Sequence, residues 1–135
     1  MANVTSKGLD ELTRELNDFA GIIPEISEEI LEKVGEVYVD EWKEGIERHK
    51  HVDTGDMRDS VKAKVNESEK SVTISPTGKD RKGVDNAKKA YVNHYGTSSR
   101  KGDRFVDDIE EKGTEKAVKT AEEIFFKKLE EKGLL

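Results

Sequence analysis

Apolar residues recur every three or four positions near the start of the chain, which is the spacing of one helix face. Over residues 7–19 the face contains Leu9, Leu12, Leu16 and Phe19. Gly21 and Pro24 then interrupt the pattern; glycine suits the end of a helix and proline the first turn of the next. The pattern predicts a short amphipathic helix over residues 7–19.

A second helical stretch runs from about Pro24 to His49. Acidic residues mostly occupy its other side, and its apolar positions are Ile26, Ile30, Val34, Val37, Tyr38, Trp42 and Ile46. Gly35 lies inside it, at a cost of about 1 kcal/mol relative to alanine. This glycine either admits another backbone closely or has no role. A third helix is predicted from Gly113-Thr114 to Gly133, with an apolar face that contains Ala117, Val118, Ala121, Ile124, Phe125 and Leu129.

Between Val61 and Ile74 the apolar period changes from helical to two. Apolar residues alternate with Lys62 and Lys64, then again after a polar turn at residues 66–70. This alternation is typical of half-buried strands, so it predicts a β-hairpin that ends at Pro76. We expect its core-facing residues to pack on the second helix and form with it the main core pair; they are Val61, Val65, Val72 and Ile74.

Residues 77–86 form a polar segment with two glycines. With few apolar anchors, this segment and residues 98–104 are expected to be poorly packed until the protein assembles. Asp85 is a plausible N-cap for a short helix that ends at Gly96, and a strand over residues 90–95 is the alternative. The order α-α-β-β-(α)-α predicts an α+β fold: N-terminal helices and a C-terminal helix packed on a small antiparallel β-sheet built around the hairpin.

Composition indicates one domain, residues 1–135, with a thin core. Charged residues make up 40% of the chain, against about a quarter in an average domain. Contact with other chains is therefore expected to supply part of the stability. The absence of cysteine excludes disulfides and thiol chemistry. No apolar run approaches the ~18 residues of a membrane span, and the N-terminus lacks signal-peptide features, so we expect cytoplasmic synthesis and no membrane partner.

Charge is unevenly distributed along the chain. Residues 1–56 hold 15 acids and 6 bases, a net charge of −9, whereas residues 77–104 hold 8 bases and 3 acids, a net charge of +5. The basic stretch could contact phosphates or dock on an acidic neighbour. Its candidate interface residues are Lys79, Arg81, Lys82, Lys88 and Lys89, and Lys88 and Lys89 are expected at the surface.

Catalytic and metal-binding patterns are not found in the sequence. His49 and His51 lie two apart and His94 is distant, so none has the spacing of a zinc hydrolase, and ordinary exposed histidines are expected. The segment Thr77–Lys79 lacks the earlier glycine of a phosphate-binding loop. Residues 53–56 lack the further ligands of an EF-hand. We predict no catalytic residue, no metal and no cofactor, and a protein that is not an enzyme.

Two short segments have an unusual sequence. In residues 52–61, Thr54 or Asp53 can cap a one-turn helix over residues 56–60, Gly55 relaxes the backbone, and Met57 points inward. In residues 91–98, an aromatic pair flanks a helix end and Gly96 permits a positive φ. Both segments can be turns and caps with no further role.

The order and spacing of these segments resemble the HK97 gp10-like family of tailed phages, over roughly residues 5–130. The positions that carry the resemblance are Thr54, Gly55, Met57, Arg58, Ser60, Tyr91, Tyr95, Gly96, Thr97 and Phe105. The chain departs from the family pattern at Asn93 or His94, where an acid is common, at Arg104, which replaces a proline, and at Val106, which replaces a leucine.

The resemblance implies a structural protein of a phage or prophage head–tail junction, located in the virion and made in the host cytoplasm. It implies a ring, hexameric in similar tail terminators, from subunits that can be monomeric in isolation. The implied partners are further copies of the chain, the tail-tube protein and the head-completion or connector protein, with DNA only as passing cargo. The alternatives are a small nucleic-acid-binding or regulatory module that uses residues 79–104, and another neck protein, adaptor or stopper.

Overall fold

The computed structural model describes residues 7–52, 54–66, 68 and 71–134, and the side chains from Arg14 onward. The core role expected for Leu9 and Leu12 lies outside the described side chains. Helices and two small antiparallel sheets occupy these ranges, in agreement with the predicted α+β class. The elements are α1 (Lys7–Ile22), α2 (Ile26–Arg48), α3 (Asp56–Asp59), β1 (Val61–Asn66), β2 (Ser71–Pro76), α4 (Asn86–Tyr95), β3 (Gly96–Thr97), β4 (Arg100–Lys101) and α5 (Phe105–Glu131).

The α2 and α5 helices form the scaffold of the molecule, and glycines set how closely they approach. An added Cβ at Gly113 would lie 2.7 Å from the Tyr38 ring, and one at Gly45 would overlap the Ile109 side chain. The predicted start of the last helix at Gly113 is wrong, because α5 begins eight residues earlier, at Phe105. Gly113 lies in the helix interior because a larger residue would push the two helices apart.

Buried side chains form two clusters along α2. The bundle core joins α1, α2 and the later part of α5, and contains Leu16, Ile23, Ile26, Ile30, Leu31, Val34, Tyr38, Ala117, Ala121 and Phe125. The junction core joins the end of α2 to α3, β1, α4 and the start of α5, and contains Trp42, Ile46, Met57, Val61, Ala90, Phe105, Val106 and Ile109. Both clusters therefore contain residues of α2 and of α5, the two scaffold helices.

The predicted hairpin is confirmed, but it is a secondary partner of α2. The strands β1 and β2 pair antiparallel, with Val61 opposite Pro76 and Val65 opposite Val72. Val61 is buried, whereas Val65, Val72 and Ile74 are only partly buried at the edges of the clusters. The expectation that hairpin and α2 form the main core pair is therefore wrong, because α5 covers most of the apolar face of α2. Gly35 lies beneath the hairpin, where an added Cβ would be 3.1 Å from that of Ala63, so it does admit a close approach.

The helix after the polar segment is confirmed and the alternative strand is wrong. In α4 the Asp85 carboxylate accepts a hydrogen bond from the Lys88 amide at 3.1 Å, which is the predicted cap. The helix ends at Gly96, whose φ is +87°. At the other end of the chain, α1 continues through Gly21 to Ile22, three residues beyond the predicted end. In the described part of the chain, no helix is long and apolar enough to cross a membrane.

Candidate interaction site

Residues 54–60, called the Thr-Gly turn below, connect the end of α2 to the hairpin. Gly55 has a φ of +89° and precedes α3, whose Met57 is 4% exposed and lies in the junction core, as predicted. The Thr54 hydroxyl accepts a hydrogen bond from the Asp56 amide at 3.3 Å. The Ser60 hydroxyl donates to the Met57 carbonyl at 2.7 Å and accepts from the Thr77 amide at 3.2 Å. This segment therefore holds the polar loop that follows β2.

Arg58 connects the same turn to α2 through its guanidinium group. It donates to a Glu47 carboxylate oxygen at 2.8 Å and to an Asp59 carboxylate oxygen at 3.0 Å. The Arg58 side chain is 30% exposed, so these contacts lie at the surface of the subunit. They fix the direction in which the chain leaves α2 and enters the hairpin.

Residues 77–86 are held by two carboxylates, although most of the segment is exposed, as its few apolar anchors predicted. Asp56 accepts from the Arg81 amide and from two guanidinium nitrogens of Arg81, at 2.8–2.9 Å. These hydrogen bonds lower the pKa of Asp56 well below its usual range. The Asp80 side chain is 6% exposed; it pairs with the Lys89 ammonium at 2.5 Å and accepts from the Val84 amide at 2.8 Å. Polar contacts thus supply the order that apolar anchors cannot.

Residues 98–104 are also ordered within the subunit. The strands β3 and β4 pair antiparallel, with Thr97 opposite Arg100. The Thr97 hydroxyl accepts from the Ser99 amide at 3.3 Å, which closes the turn between them. Asp103 donates its backbone N–H to the Asn93 carbonyl at 3.1 Å. These contacts hold the segment within the subunit, and its further ordering on assembly stays a prediction.

The five candidate interface cations differ in whether they form an ion pair within their own subunit. Arg81 and Lys89 neutralise carboxylates of their own subunit. Lys79 and Lys88 are exposed and form no ion pair with the residues that the structure describes. The Lys82 amide donates to Asp80 at 2.9 Å, so its backbone belongs to the loop network. Arg81 and Lys82 are exposed as well, so Lys79 and Lys88 differ from the paired cations by their lack of an ion pair with described residues and not by their exposure.

Two exposed tyrosines lie beside Lys88 on α4. Tyr91 is 46% exposed and Tyr95 is 42% exposed, with ring centroids 4.7 Å apart. The Arg104 guanidinium lies 5.6 Å from the Tyr95 ring centroid, within cation–π range. A groove of about 700 Å³ lies between α4 and the end of β2, and its lining includes Pro76, Lys88 and Tyr91. Tyr91 and Tyr95, two of the residues that carry the family resemblance, thus form an exposed aromatic surface next to a groove.

An acidic face lies on α2, beside the strand β1. Its exposed carboxylates recur at intervals of four residues, at Glu28, Glu32, Glu36 and Asp40. A second groove, of about 470 Å³, runs between this face and β1. Val39, Ala63 and Val65 line it together with three of the four acids. The sequence predicted the acidic side of this helix, and the structure adds the partly apolar groove beside it.

All three histidines surround Phe105 at the start of α5, an arrangement that the sequence did not reveal. The ring centroids lie 4.7 Å from Phe105 for His51, and 6.2 Å for His49 and for His94. His94 is 1% exposed, so its expected exposure is wrong. Its Nδ1 accepts from the Val106 amide at 3.2 Å and thereby caps α5. Burial lowers the pKa of His94, because the charged imidazolium would lose its hydration.

Aspartates complete this junction. Asp103 accepts from the Phe105 amide at 3.1 Å and from His51 Nε2 at 2.7 Å. Asp108 accepts from His49 Nε2 at 2.9 Å and from two nitrogens of Arg48, at 2.7 and 3.0 Å. The His49 contact and then the Arg48 contacts lower the pKa of Asp108 to about 2. Among the described residues, no group of three or more histidines and carboxylates is arranged to hold a metal ion.

Arg104 stands where the family pattern has a proline, and its backbone conformation is one that a proline cannot adopt. Its φ is +55°, in the left-handed region. A proline, whose ring fixes φ near −65°, cannot adopt this conformation. Here the capping of α5 falls to Asp103 and His94.

Glu41 is a buried carboxylate that sequence reasoning missed. It is 1% exposed and pairs with Lys116 of α5 at 2.6 Å and with Arg48 at 3.4 Å. The sequence pattern predicted that the acids of this helix mostly lie on the side opposite its apolar residues, and it did not single out Glu41. Glu41 lies between Tyr38 and Trp42 in sequence, and this position next to the apolar face was the available signal.

Comparison with known proteins gives one match. The family model HK97-gp10_like, described as "Bacteriophage HK97-gp10, putative tail-component", matches residues 10–97, more than half of the chain. The matched range includes the Thr-Gly turn and the exposed tyrosines of α4, and ends before Phe105. No curated protein and no solved structure matches the chain. The chain belongs to the HK97 gp10-like family of bacteriophage tail components.

Proposed function

We propose that this protein completes the phage tail as a closed, hexameric ring and joins the tail to the head connector. Membership of a family of phage tail components is the observation that carries the proposal. The two exposed faces support it, because an acidic α2 face and a basic, aromatic α4 face on one subunit suit head-to-tail contacts between copies. The partners are further copies of the chain, the tail-tube protein and the connector, and the role is structural rather than catalytic.

Passage of DNA through the ring is compatible with the charge of the chain. The net charge is −6, and phosphate binding depends on cations that displace counterions. Two of the five candidate cations, Arg81 and Lys89, are already engaged with carboxylates of the same subunit. This arrangement favours a structural role over the alternative of a nucleic-acid-binding module in residues 79–104.

Complementation of a phage that lacks this gene tests the proposal. The wild-type chain should restore tailed heads, counted by electron microscopy, and the infectious titre, whereas the deletion should accumulate separate heads and tails. Affinity-tagged protein within the particles should locate at the head-proximal end of the tail. Normal head–tail joining in the deletion, or a label at the distal tip, would contradict the proposal. A label on the head side of isolated, unjoined heads would favour an adaptor or stopper.

A further inference from the structure

The carboxylates of the acidic face of α2 repel one another within the subunit. Glu28, Glu32, Glu36 and Asp40 lie four residues apart, so that neighbouring carboxylates are close on the helix surface. Like charges at this spacing destabilise a helix. Among the described residues, Glu36 has an ion pair with Lys33, at 3.5 Å, and the other three acids have none. The repulsion is therefore largely uncompensated in the isolated subunit.

The groove beside this face has the chemistry to receive a basic, aromatic ridge. Its apolar surface comes from Val39, Ala63 and Val65, and its acids come from α2. Aromatic rings can cover the apolar part while ammonium or guanidinium groups meet the carboxylates at the rim. An apolar helix face alone would leave the acids without partners.

The chain itself presents such a ridge on α4. Lys88, Tyr91 and Tyr95 are exposed at intervals of three and four residues, and therefore lie on one side of the helix. Arg104 stands over Tyr95 and also pairs with Asp107 at 3.0 Å, so the positive charge of the ridge comes from Lys88. Lys89 lies outside the ridge, because it pairs with Asp80.

We propose that the ridge formed by Lys88, Tyr91 and Tyr95 of one subunit docks into the groove between α2 and β1 of a second copy of this chain. The inference rests on the proposed ring and names its contact surfaces. The groove is bordered by β1, whereas α4 lies beside the end of β2, so the two surfaces are different parts of the subunit. Contacts between two different surfaces are heterologous, and they generate a ring when the rotation closes.

Cysteine cross-linking tests the contact, since the chain has no cysteine of its own. In the variant Glu32→Cys/Tyr91→Cys, a short bismaleimide should join neighbouring subunits into a ladder of covalent oligomers on a denaturing gel. Each single variant should stop at a dimer or below. The matched control is Glu123→Cys/Tyr91→Cys, which moves the acidic position to an exposed site on α5 and should give no ladder. The reaction is run on purified protein at high concentration and on tail-bearing particles.

Charge exchange gives a second test with a rescue. Lys88→Glu and Glu32→Lys should each reduce head–tail joining to the level of the deletion, and the double exchange in one chain should restore it. Circular dichroism checks that each variant is folded. Joined particles without a ladder, or single exchanges with wild-type joining, would overturn this contact and leave the proposed function in place. Failure of the wild-type chain to complement overturns the proposed function instead, and a ladder in purified protein would then still support the contact.

Discussion

The scaffold of α2 and α5 and the segment from Thr77 to Arg104 are ordered by different kinds of contact. In the scaffold, fully buried side chains and glycine contacts fix the distance between two long helices. In the segment, carboxylates accept hydrogen bonds from backbone amides and from basic side chains. The first kind of order tolerates changes of pH, and the second depends on the charge state of individual groups.

The two proposed contact surfaces differ in the same way, because one lies on the scaffold and the other lies on the segment that polar contacts hold in place. The acidic face lies on the scaffold helix α2, and the ridge lies on α4, which the polar networks position. Because α4 contributes only Ala90 to the junction core as a buried apolar residue, its placement depends on its neighbours. A change in the polar network should therefore move the ridge without unfolding the scaffold.

Insertion of a charge into the scaffold should have the largest effect. Val34 is fully buried in the bundle core, so Val34→Asp places a carboxylate there without a partner. The cost of several kcal/mol is comparable to the 5–15 kcal/mol stability of a typical domain, so we expect an unfolded monomer. Circular dichroism and thermal unfolding measure the result, with Glu32→Asp as an exposed control. A folded, soluble Val34→Asp variant would show that this face is not the core.

Glycine replacement should separate packing from helix propensity. Gly113→Ala adds a methyl group 2.7 Å from the Tyr38 ring, and overpacking of this kind costs about 1–3 kcal/mol. Gly21→Ala, in α1, adds one where no atom lies within 4 Å, and should stabilise the protein by about 1 kcal/mol. Chemical denaturation of both variants provides the comparison. Stabilisation by Gly113→Ala would contradict the close packing of α2 on α5.

Much of the local structure could be predicted from the sequence, because it depends on nearby residues. The alternation at Val61–Ile74 and the cap at Asp85 are local signals, and both are confirmed. The start of α5 was not predictable in this way, since Gly113 is a helix breaker by propensity and a packing residue in the fold. Propensity gave the wrong answer where tertiary contact decided the conformation.

The candidate site was predictable in its residue types and not in its partners. The basic stretch and the acidic helix were visible as charge. The pairs Asp56–Arg81 and Asp80–Lys89 join positions 25 and 9 residues apart, and no sequence period links them. The same limitation hid the meeting of His49, His51 and His94 around Phe105, because the fold brings three separate segments together.

Neighbouring lysines of α4 should differ in their effect on the polar loop. Lys89→Met removes the ammonium partner of the nearly buried Asp80, whereas Lys88→Met removes an exposed lysine without a described ion pair. We expect faster amide exchange at Lys82 and Val84 in the first variant and unchanged exchange in the second. Equal exchange in both would show that the backbone hydrogen bonds to Asp80 suffice. A double reversal of both lysines would disturb the loop as well as the ridge, so it is a poor test of the interface.

Acid should weaken the capping of α5 by His94 before it affects the apolar packing of α2 on α5. The folded-state pKa of His94 is lowered, so the unfolded chain takes up the proton first, and stability falls as the pH drops below about 6.5. His94→Asn cannot titrate there and should lose less thermal stability between pH 7 and pH 5 than the wild type. An equal loss in both would exclude His94 as the cause.

Asp108 should act in a separate and more acidic range. Its folded-state pKa of about 2 lies below the ordinary value of 3.8, so its stabilising contribution is present above about pH 4 and is lost towards pH 2. Asp108→Asn should lack this loss between pH 4 and pH 2. A variant that still loses stability like the wild type in that range would assign the effect to other carboxylates.

The smallest expected effect is a gain of stability at the acidic face. Glu32→Lys replaces two like-charge pairs, with Glu28 and Glu36, by two opposite-charge pairs at the same four-residue spacing. Each pair contributes about 0.2–0.5 kcal/mol, so the monomer should gain about 1 kcal/mol while head–tail joining is lost. The control Glu123→Lys lies between Lys119 and Lys127 on α5 and should lose a similar amount while joining is retained. Opposite changes in stability and assembly would show that the acidic face is kept for a partner at the expense of the isolated subunit, and a Glu32→Lys variant that joins normally would show that it is not.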